Sequence, residues 1–296
     1  MLKYEELSSQ RLANLDRDKT AFFVPISPLE GHGPHLPLGV DYFNAVFFAE
    51  SIARITLQRR PDFQAVLMPG IPLGTGVYRQ PGSVRISSIS LYDLVKGLGG
   101  SLASWDFRYI FLLSGHGSPK HIVAIDSACL KISRKHNINM HNLSGSLAIR
   151  FLKGEFTERI SSLMPRPFTD EDREHFKTDI HGGWWETSMM LLLRPDLVDV
   201  DYANLPSVKK DRNNISSGYY GSPARADKAF AEASIKVMAE EAAKIVERIL
   251  AGDGKPTDTI SPLHKMLPLR PHFRRNLTAI LLVFAVLIIF LIVALT

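Results

Sequence analysis

Short apolar runs alternate with longer amphipathic stretches over most of this sequence. Three runs are apolar almost throughout, as in strands buried on both faces: 21–26 ("AFFVPI"), 64–69 ("QAVLMP") and 109–114 ("YIFLLS"). A weaker run of the same kind covers 138–143. Helical patterns lie between and after the runs, over 41–58, 90–104, 119–135, 183–193 and 226–251. Strands that alternate with helices predict an α/β fold, in which helices cover both sides of a mostly parallel sheet.

The composition is that of a globular protein. The chain has 296 residues, of which 45% are hydrophobic and 22% are charged, so it can bury a sizeable core. A single cysteine, Cys129, excludes an intrachain disulfide and a Cys-rich zinc site. Its place in an amphipathic helical stretch predicts a buried, inert thiol. The net charge is +5, but the positive residues are dispersed apart from a cluster over 263–275, so we expect no nucleic-acid partner.

The segment 277–295 is uniformly apolar and contains no charge, proline or glycine. As a helix rising ~1.5 Å per residue it extends roughly 28 Å, close to the ~30 Å hydrocarbon core of a lipid bilayer. We therefore predict a transmembrane anchor over 276–296, preceded by a polar and basic tether over 251–275. Arg274 and Arg275 flank the span on its N-terminal side, which predicts a membrane protein whose catalytic body lies in the cytoplasm.

A loop rich in proline and glycine, "SPLEGHGPHLPLGVD" (27–41), follows the first predicted strand. Proline removes hydrogen-bond donors and glycine loosens the backbone, so this stretch is neither a regular helix nor a central strand. Glu30 and His32 alternate on the extended loop and therefore point to the same side. Asp41 comes at the start of a predicted helix, where a role as N-cap also explains it.

Two further segments carry potential ligands. In "LLSGHGSP" (112–119), glycines flank His116 directly after a strand and leave its imidazole open to a ligand. "TDIHGGWWETS" (178–188) brings Asp179, His181 and Glu186, together with two tryptophans that either line a pocket or pack in the core. Because ligands bind beyond the carboxyl ends of parallel strands, we expect the loops 27–41 and 112–119 to converge at one edge of the sheet.

Together the loops offer a mixture of carboxylate and imidazole ligands. Such a mixture suits Zn²⁺ or Mn²⁺, and a shared aspartate can hold two such ions. Metal ions make water nucleophilic near neutral pH, and an unligated histidine supplies the proton that a departing amine needs. The residues alone therefore predict metal-assisted hydrolysis.

These motifs resemble those of the creatininase (creatinine amidohydrolase) family. "EGHGPHLPLGVD" (30–41) resembles the family's Glu-x-His-Gly-Pro-His-Leu-Pro-Leu-x-x-Asp almost without change. "SGHGSP" (114–119) is similar to Asn-Gly-His-Gly-Gly-Asn, and "DIHGGWWETS" (179–188) to Asp-x-His-Ala-Gly-x-x-Glu-Thr-Ser. Weaker similarity continues in "GYYGSPARADKA" (218–229). The resemblance implies a three-layer α/β/α creatininase-like metallohydrolase domain over 1–250, often assembled as a hexamer.

The resemblance also implies a metal centre of two divalent ions, Zn²⁺ and/or Mn²⁺ with Fe²⁺ as a further candidate. Glu30, Asp41 and His116 correspond to the ligands of one ion. His32, Asp41 and Glu186 correspond to those of the other, so Asp41 bridges the two.

The same resemblance implies that His181 is the catalytic acid/base. Asp179 would orient it or, with Trp184 and Trp185, shape a pocket for a small-molecule amide substrate. The chain departs from the family pattern over 73–83, which lacks a Glu-His pair, and at 118–119.

The predicted function is that of a membrane-anchored amidohydrolase that cleaves the C–N bond of a cyclic amide or formamide. A non-catalytic metal-binding scaffold, a single-metal module and a peptidase-like member of the family are the alternatives. The substrate, the native metal and the oligomeric state stay open.

Overall fold

A parallel sheet forms the centre of the molecule. The structure, a computed structural model, describes residues 1–210 and 217–295. Over these residues the sheet has five strands: β1 (Leu2–Lys3), β2 (Thr20–Pro25), β3 (Gln64–Leu67), β4 (Tyr109–Leu113) and β5 (Asn139–Asn142). Their order is β1-β3-β2-β4-β5, and every neighbouring pair is parallel. The predicted α/β fold with a mostly parallel sheet is confirmed.

Helices connect the strands and follow them. In the described part of the chain they are α1 (Ser9–Ala13), α2 (Val40–Arg59), α3 (Ser88–Ser104), α4 (Pro119–His136), α5 (Leu143–Leu152), α6 (Thr157–Ser161), α7 (Asp170–Lys177), α8 (Trp184–Leu193), α9 (Lys228–Leu250) and α10 (Phe273–Leu295). The helices predicted from the sequence pattern correspond to α2, α3, α4, α8 and α9. The shorter elements β1, α1, α5, α6 and α7 are additions to the prediction.

Two hydrophobic cores cover the two faces of the sheet. Phe22 and Phe23 are neighbours on β2 and point to opposite faces, so each belongs to a different core. On the Phe23 face lie α2, α5, α8 and α9, and on the Phe22 face lie α3 and α4. Cys129 of α4 is fully buried in the second core, and burial raises the pKa of its thiol well above the usual value. The helices and the sheet therefore form three layers.

The C-terminal segment differs from the prediction. Within the ranges that the structure describes, no helix combines the length and the apolar character needed to cross a membrane. The predicted transmembrane anchor, its contact with a bilayer and the membrane localisation with a cytoplasmic body are therefore wrong. Thr296 lies outside the described residues.

Part of the predicted tether packs against the body of the molecule. Thr259 and Ser261 are buried, although both lie in a polar and proline-rich stretch. The backbone N–H of Ser261 donates to Asp126 of α4 at 3.0 Å, and the Thr259 hydroxyl lies 3.1 Å from Nδ1 of His141 on β5. These polar contacts, rather than apolar side chains, hold the segment in place.

Candidate metal centre

The predicted ligands meet where β2 and β4 end and α8 begins. The loop after β2 carries Glu30 and His32 and leads into α2, whose first turn contains Asp41. The loop after β4 carries His116, and Glu186 lies in the first turn of α8. The convergence expected at the carboxyl edge of the sheet is what the fold produces.

Glu30, Asp41 and His116 form one compact group. Nδ1 of His116 lies 3.0 Å from Oδ2 of Asp41 and 3.1 Å from Oε2 of Glu30. One ligand atom from each of the three residues lies within 4.8 Å of the others. All three side chains are buried, so a cation bound among them would be largely removed from water.

His32, Asp41 and Glu186 form a second group with the same dimensions. Nε2 of His32 lies 3.5 Å from Oδ1 of Asp41 and 3.6 Å from Oε2 of Glu186. One ligand atom from each again lies within 4.8 Å of the others. Asp41 faces His116 with one carboxylate oxygen and His32 with the other, so it is common to both groups.

Several atoms at this centre lack hydrogen-bond partners among the described residues. They are buried and comprise Glu30 Oε2, His32 Nε2 and both carboxylate oxygens of Asp41. The close approach of His116 Nδ1 to two of these oxygens does not have hydrogen-bond geometry. Burying ionised groups without partners is costly, and binding a metal removes that cost. The residues present therefore fit divalent cations.

The charge distribution points the same way. Burial opposes a charge on His32, but Glu186 and Asp41 outweigh it and raise the pKa of this imidazole to about 9. Burial is likewise outweighed at His116, whose pKa is raised to about 10 by Asp41 and Glu30. Carboxylates that hold protons on two buried imidazoles create a negative field that also attracts divalent cations.

Backbone contacts orient the ligands. Nδ1 of His32 donates to the carbonyl of Glu30 at 2.9 Å, which leaves Nε2 facing the centre. The N–H of Tyr78 donates to Oε1 of Glu30, and the N–H of Gly182 donates to Oε2 of Glu186 at 2.6 Å. Such contacts fix ligand orientation, and their loss commonly weakens metal binding.

Ser114 and His121 support the loop of His116. The Ser114 hydroxyl accepts from the N–H of His116 at 3.0 Å and lies 3.0 Å from Nε2 of His121. Burial, aided by the charge of His116, lowers the pKa of His121 to about 3, so its ring is neutral. The sequence did not single out His121, because it lies inside α4 at a helical interval typical of a core position.

His181 lies against the second ligand group. Its ring packs at a tilt against those of His32 and Tyr78, with centroid distances of 4.1 Å and 4.6 Å. Its Nε2 donates to the carbonyl of Gly31 at 2.8 Å. Burial, followed by the charge of His32, lowers the pKa of His181 to about 3. The ring is therefore neutral, with Nδ1 left as the basic nitrogen.

Asp179 holds the beginning of α8. Its two carboxylate oxygens accept from the backbone N–H of Trp184 at 2.6 Å and of Trp185 at 2.8 Å. A Cβ added to Gly183 would lie 1.9 Å from Oδ1 of Asp179, so only glycine fits there. Gly182 has a φ of +58° and lies against the backbone of His32. The glycine pair of the motif thus lets α8 begin close enough to present Glu186.

The two tryptophans have different surroundings. Trp184 is buried in the core against Phe168 and Phe230. Trp185 lines a cavity of about 370 Å³ that also reaches Asp179. Of the three residues predicted to form a substrate pocket, Trp185 and Asp179 line this cavity. Trp184 packs in the hydrophobic core instead.

The departures from the family pattern are accommodated in this chain. A Cβ on Gly76 would lie 1.9 Å from Oγ of Ser118, so the two loops pack together there and only glycine fits at residue 76. Pro119 occupies the first turn of α4, where a missing N–H costs nothing. In the 73–83 loop, Tyr78 supplies contacts to Glu30 and His181. The sequence shows that this loop departs from the family pattern, but it does not point to Tyr78.

Comparisons with known proteins identify the family to which the chain belongs. The family model for creatinine amidohydrolase (creatininase) matches residues 5–246. The creatinine amidohydrolase of Pseudomonas putida is 30% identical over 187 residues, which cover 60% of this chain and 66% of that protein. The mycofactocin precursor peptide peptidase of Mycolicibacterium smegmatis is 28% identical over 180 residues, 60% of each chain. The matched part of this chain thus spans less than two thirds of either relative.

Solved structures share the fold. The manganese form of creatininase and a zinc–zinc form of a creatininase mutant align with TM-scores of 0.60 and 0.62, at 21% and 22% identity. Each alignment covers 84% of this chain and 98% of the solved chain.

Proposed function

Since the chain belongs to the creatininase family, we propose that it is a metal-dependent amidohydrolase. Its relatives indicate a hydrolase that acts on C–N bonds. In the proposed reaction water adds to the carbonyl carbon of a cyclic amide or formamide. The C–N bond then breaks, and the products are a carboxylic acid and an amine whose nitrogen has gained one proton from the water.

The position of Asp41 between two imidazoles is the observation that carries this proposal. Its two oxygens face His116 and His32, which belong to different ligand groups. A carboxylate placed in this way is common to two cation sites and brings both into one reaction space. A structural ion would need only one of the two groups.

We assign Glu30, Asp41 and His116 to one divalent cation, and His32, Asp41 and Glu186 to a second. Mixed carboxylate and imidazole ligands suit Zn²⁺ and Mn²⁺, with Fe²⁺ as a further candidate. Related solved structures include manganese and zinc–zinc forms. When bound, such ions polarise an amide carbonyl and make water acidic enough to act as a nucleophile near neutral pH.

We assign proton transfer to His181. Its Nε2 is occupied by the carbonyl of Gly31, so the neutral ring offers Nδ1 as the basic nitrogen. Nδ1 would take a proton from the attacking water and pass it to the departing nitrogen.

A peptidase-like member of the family is the second candidate function. The observation in its favour is the relative that is a mycofactocin precursor peptide peptidase. Peptide and small-amide hydrolysis share the same C–N cleavage and the same metal centre, and they differ in what the cavity holds. A non-catalytic metal-binding scaffold would not require an unligated histidine such as His181 beside the ligands.

The organisation of the chain follows the family match. We propose that residues 1–250 are the metallohydrolase domain, because the family model ends at residue 246. The segment 251–275 joins it to the C-terminal helix. A hexamer of the family kind stays a prediction.

Metal-dependent turnover by the full-length chain tests the proposed function. The purified protein is loaded with Zn²⁺ or Mn²⁺ and assayed against formamides, cyclic amides including creatinine, and short peptides. Release of amine that stops on chelation and returns on adding metal is the expected result. Stoichiometric metal without hydrolysis of any amide would favour the scaffold.

A further inference from the structure

The cavity beside the metal centre continues into an apolar chamber. At one end it is lined by His116, His181 and Glu186. At the other end its walls come from helices α2, α5, α8 and α9, with the lining residues Phe48, Ile52, Leu147, Phe151, Trp185 and Met238. The ligand groups and the apolar walls therefore belong to one continuous space.

The charged residues of this cavity lie at the metal end. Among its described lining residues they are Asp179, Glu186 and Lys210. Asp179 accepts hydrogen bonds from the first N–H groups of α8, and Lys210 lies over the ring of Tyr78, which packs against His181. The described lining residues of the four helical walls, apart from Glu186 at the metal centre, carry no charge and offer few hydrogen-bonding groups. Water in that part of the cavity would therefore form few hydrogen bonds.

The size of the cavity is compatible with a substrate larger than the amide group alone. At about 370 Å³ it lies within the range of pockets that hold drug-sized ligands. A substrate confined to the metal end would leave the apolar walls exposed to solvent. Burial of apolar surface against those walls is favourable and grows with the area covered.

We propose that the substrate is an amide with a large apolar substituent. The amide group lies at the metal ligands, and the substituent, aliphatic or aromatic, fills the chamber between α2, α5, α8 and α9. This inference rests on the proposed function and specifies its substrate class. The ring of Trp185 packs against Phe151 at a centroid distance of 5.2 Å and forms a firm wall for such a group.

Two alanines make the proposal testable. Ala148 of α5 and Ala242 of α9 both line the chamber. Replacing either with leucine adds carbon atoms to its wall and shortens the space for a substituent. Ala13 of α1 is exposed and does not line the chamber, so Ala13→Leu is a matched control for the same chemical change.

Calorimetric binding of alkyl hydroxamates to the zinc-loaded, full-length protein measures the chamber without relying on turnover. The series runs from acetohydroxamate through butano- and hexanohydroxamate to octanohydroxamate. We expect the affinity to rise about two- to fourfold for each added methylene. Ala148→Leu and Ala242→Leu should reduce the ratio of the longest to the shortest ligand's affinity at least tenfold, and Ala13→Leu should not. Ala242 is deeply buried, so Ala148→Leu serves if the other variant fails to fold.

Hydrolysis of N-alkylformamides with alkyl chains of the same lengths separates this inference from the proposed function. A kcat/KM that rises with chain length, and falls back in the leucine variants, supports both. Length-dependent hydroxamate binding without any hydrolysis would remove the amidohydrolase assignment and leave the apolar site. Equal affinities along the hydroxamate series, or hydrolysis of all amides at the same rate, would overturn the inference about the substituent.

Discussion

Oδ2 of Asp41 lies 3.0 Å from Nδ1 of His116, although Asp41 begins the helix that follows β2 and His116 lies in the loop that follows β4. The parallel register of β2 and β4 places both residues at one edge of the sheet. Oδ1 of the same carboxylate faces His32. The function proposed for this chain follows from that shared carboxylate and from His181 beside it.

Removing the imidazole of His181 should stop turnover and leave the metal in place. We expect His181→Ala to lower kcat about 10²- to 10⁴-fold, because proton transfer to the leaving nitrogen is lost. Metal content should stay unchanged, since His181 is assigned to neither of the two ligand groups. Steady-state kinetics and metal analysis of the same preparation make the test.

His136→Ala, at the C-terminal end of α4, is the control for loss of a histidine. Glu30, His32 and His181 also present ligand atoms close enough to hold a metal. A loss of metal in His181→Ala would therefore show that this residue is a ligand and would contradict its assignment as the acid/base.

Asp179 should contribute to stability through the first turn of α8. Asp179→Ala leaves the N–H groups of Trp184 and Trp185 without their acceptor, which costs about 1–2 kcal/mol of the free energy of unfolding. Because α8 presents Glu186, metal affinity should also fall about tenfold or more. Urea denaturation and metal titration measure the two effects.

Asp179→Asn keeps one acceptor oxygen and should lie between the wild type and the alanine variant in stability. If Asp179→Ala unfolded at the same urea concentration as the wild type and bound metal equally well, the capping role would be wrong.

Asp126 should make stability fall as the pH rises. Burial raises the pKa of this carboxyl to about 7, against the hydrogen bonds from Asn142 and Ser261 that lower it. Because the folded pKa lies above the unfolded value of ~3.9, the protonated form stabilises the fold. This stabilisation is fully present below about pH 4 and is lost as the pH rises through about 7. Over that interval the free energy of unfolding falls by at most about 1.4 kcal/mol per pH unit.

Asp126→Asn removes this titration, and the amide of Asn142, whose oxygen has no partner among the described residues, can turn to accept from it. We expect the unfolding free energy of the wild type to fall relative to Asp126→Asn between pH 4.5 and about 7.5. Asp253→Asn, which makes the same change at an exposed carboxylate, is the control. Parallel curves for the wild type and Asp126→Asn would refute the raised pKa.

The strands and the predicted ligands could be read from the sequence because short, local signals carry them. Apolar runs such as Phe22–Phe23 on β2 are diagnostic of strands buried on both faces. Glu30, His32 and His116 lie in Gly-rich or Pro-rich motifs that directly follow strands, and this place fixes the sheet edge they reach. Motifs of this kind need no knowledge of distant contacts.

Other features depend on contacts that sequence spacing does not encode. Tyr78 touches Glu30 and His181 only because the 73–83 loop folds back over the site. The apolar chamber draws on four helices, and each of its residues looks like an ordinary core position. Composition predicted a polar and basic tether over 251–275, but Ser261 is buried and its N–H donates to Asp126.

The number of metal ions held by the full-length chain tests the central claim most directly. After loading with Zn²⁺ or Mn²⁺ and exhaustive dialysis, inductively coupled plasma mass spectrometry should find about two ions per chain. Glu30→Gln and Glu186→Gln should each lose about one, Asp41→Asn should lose both, and Glu232→Gln on the exposed face of α9 should lose none. A wild type with one ion or none, or an unchanged metal content in Glu186→Gln, would contradict the two-cation centre.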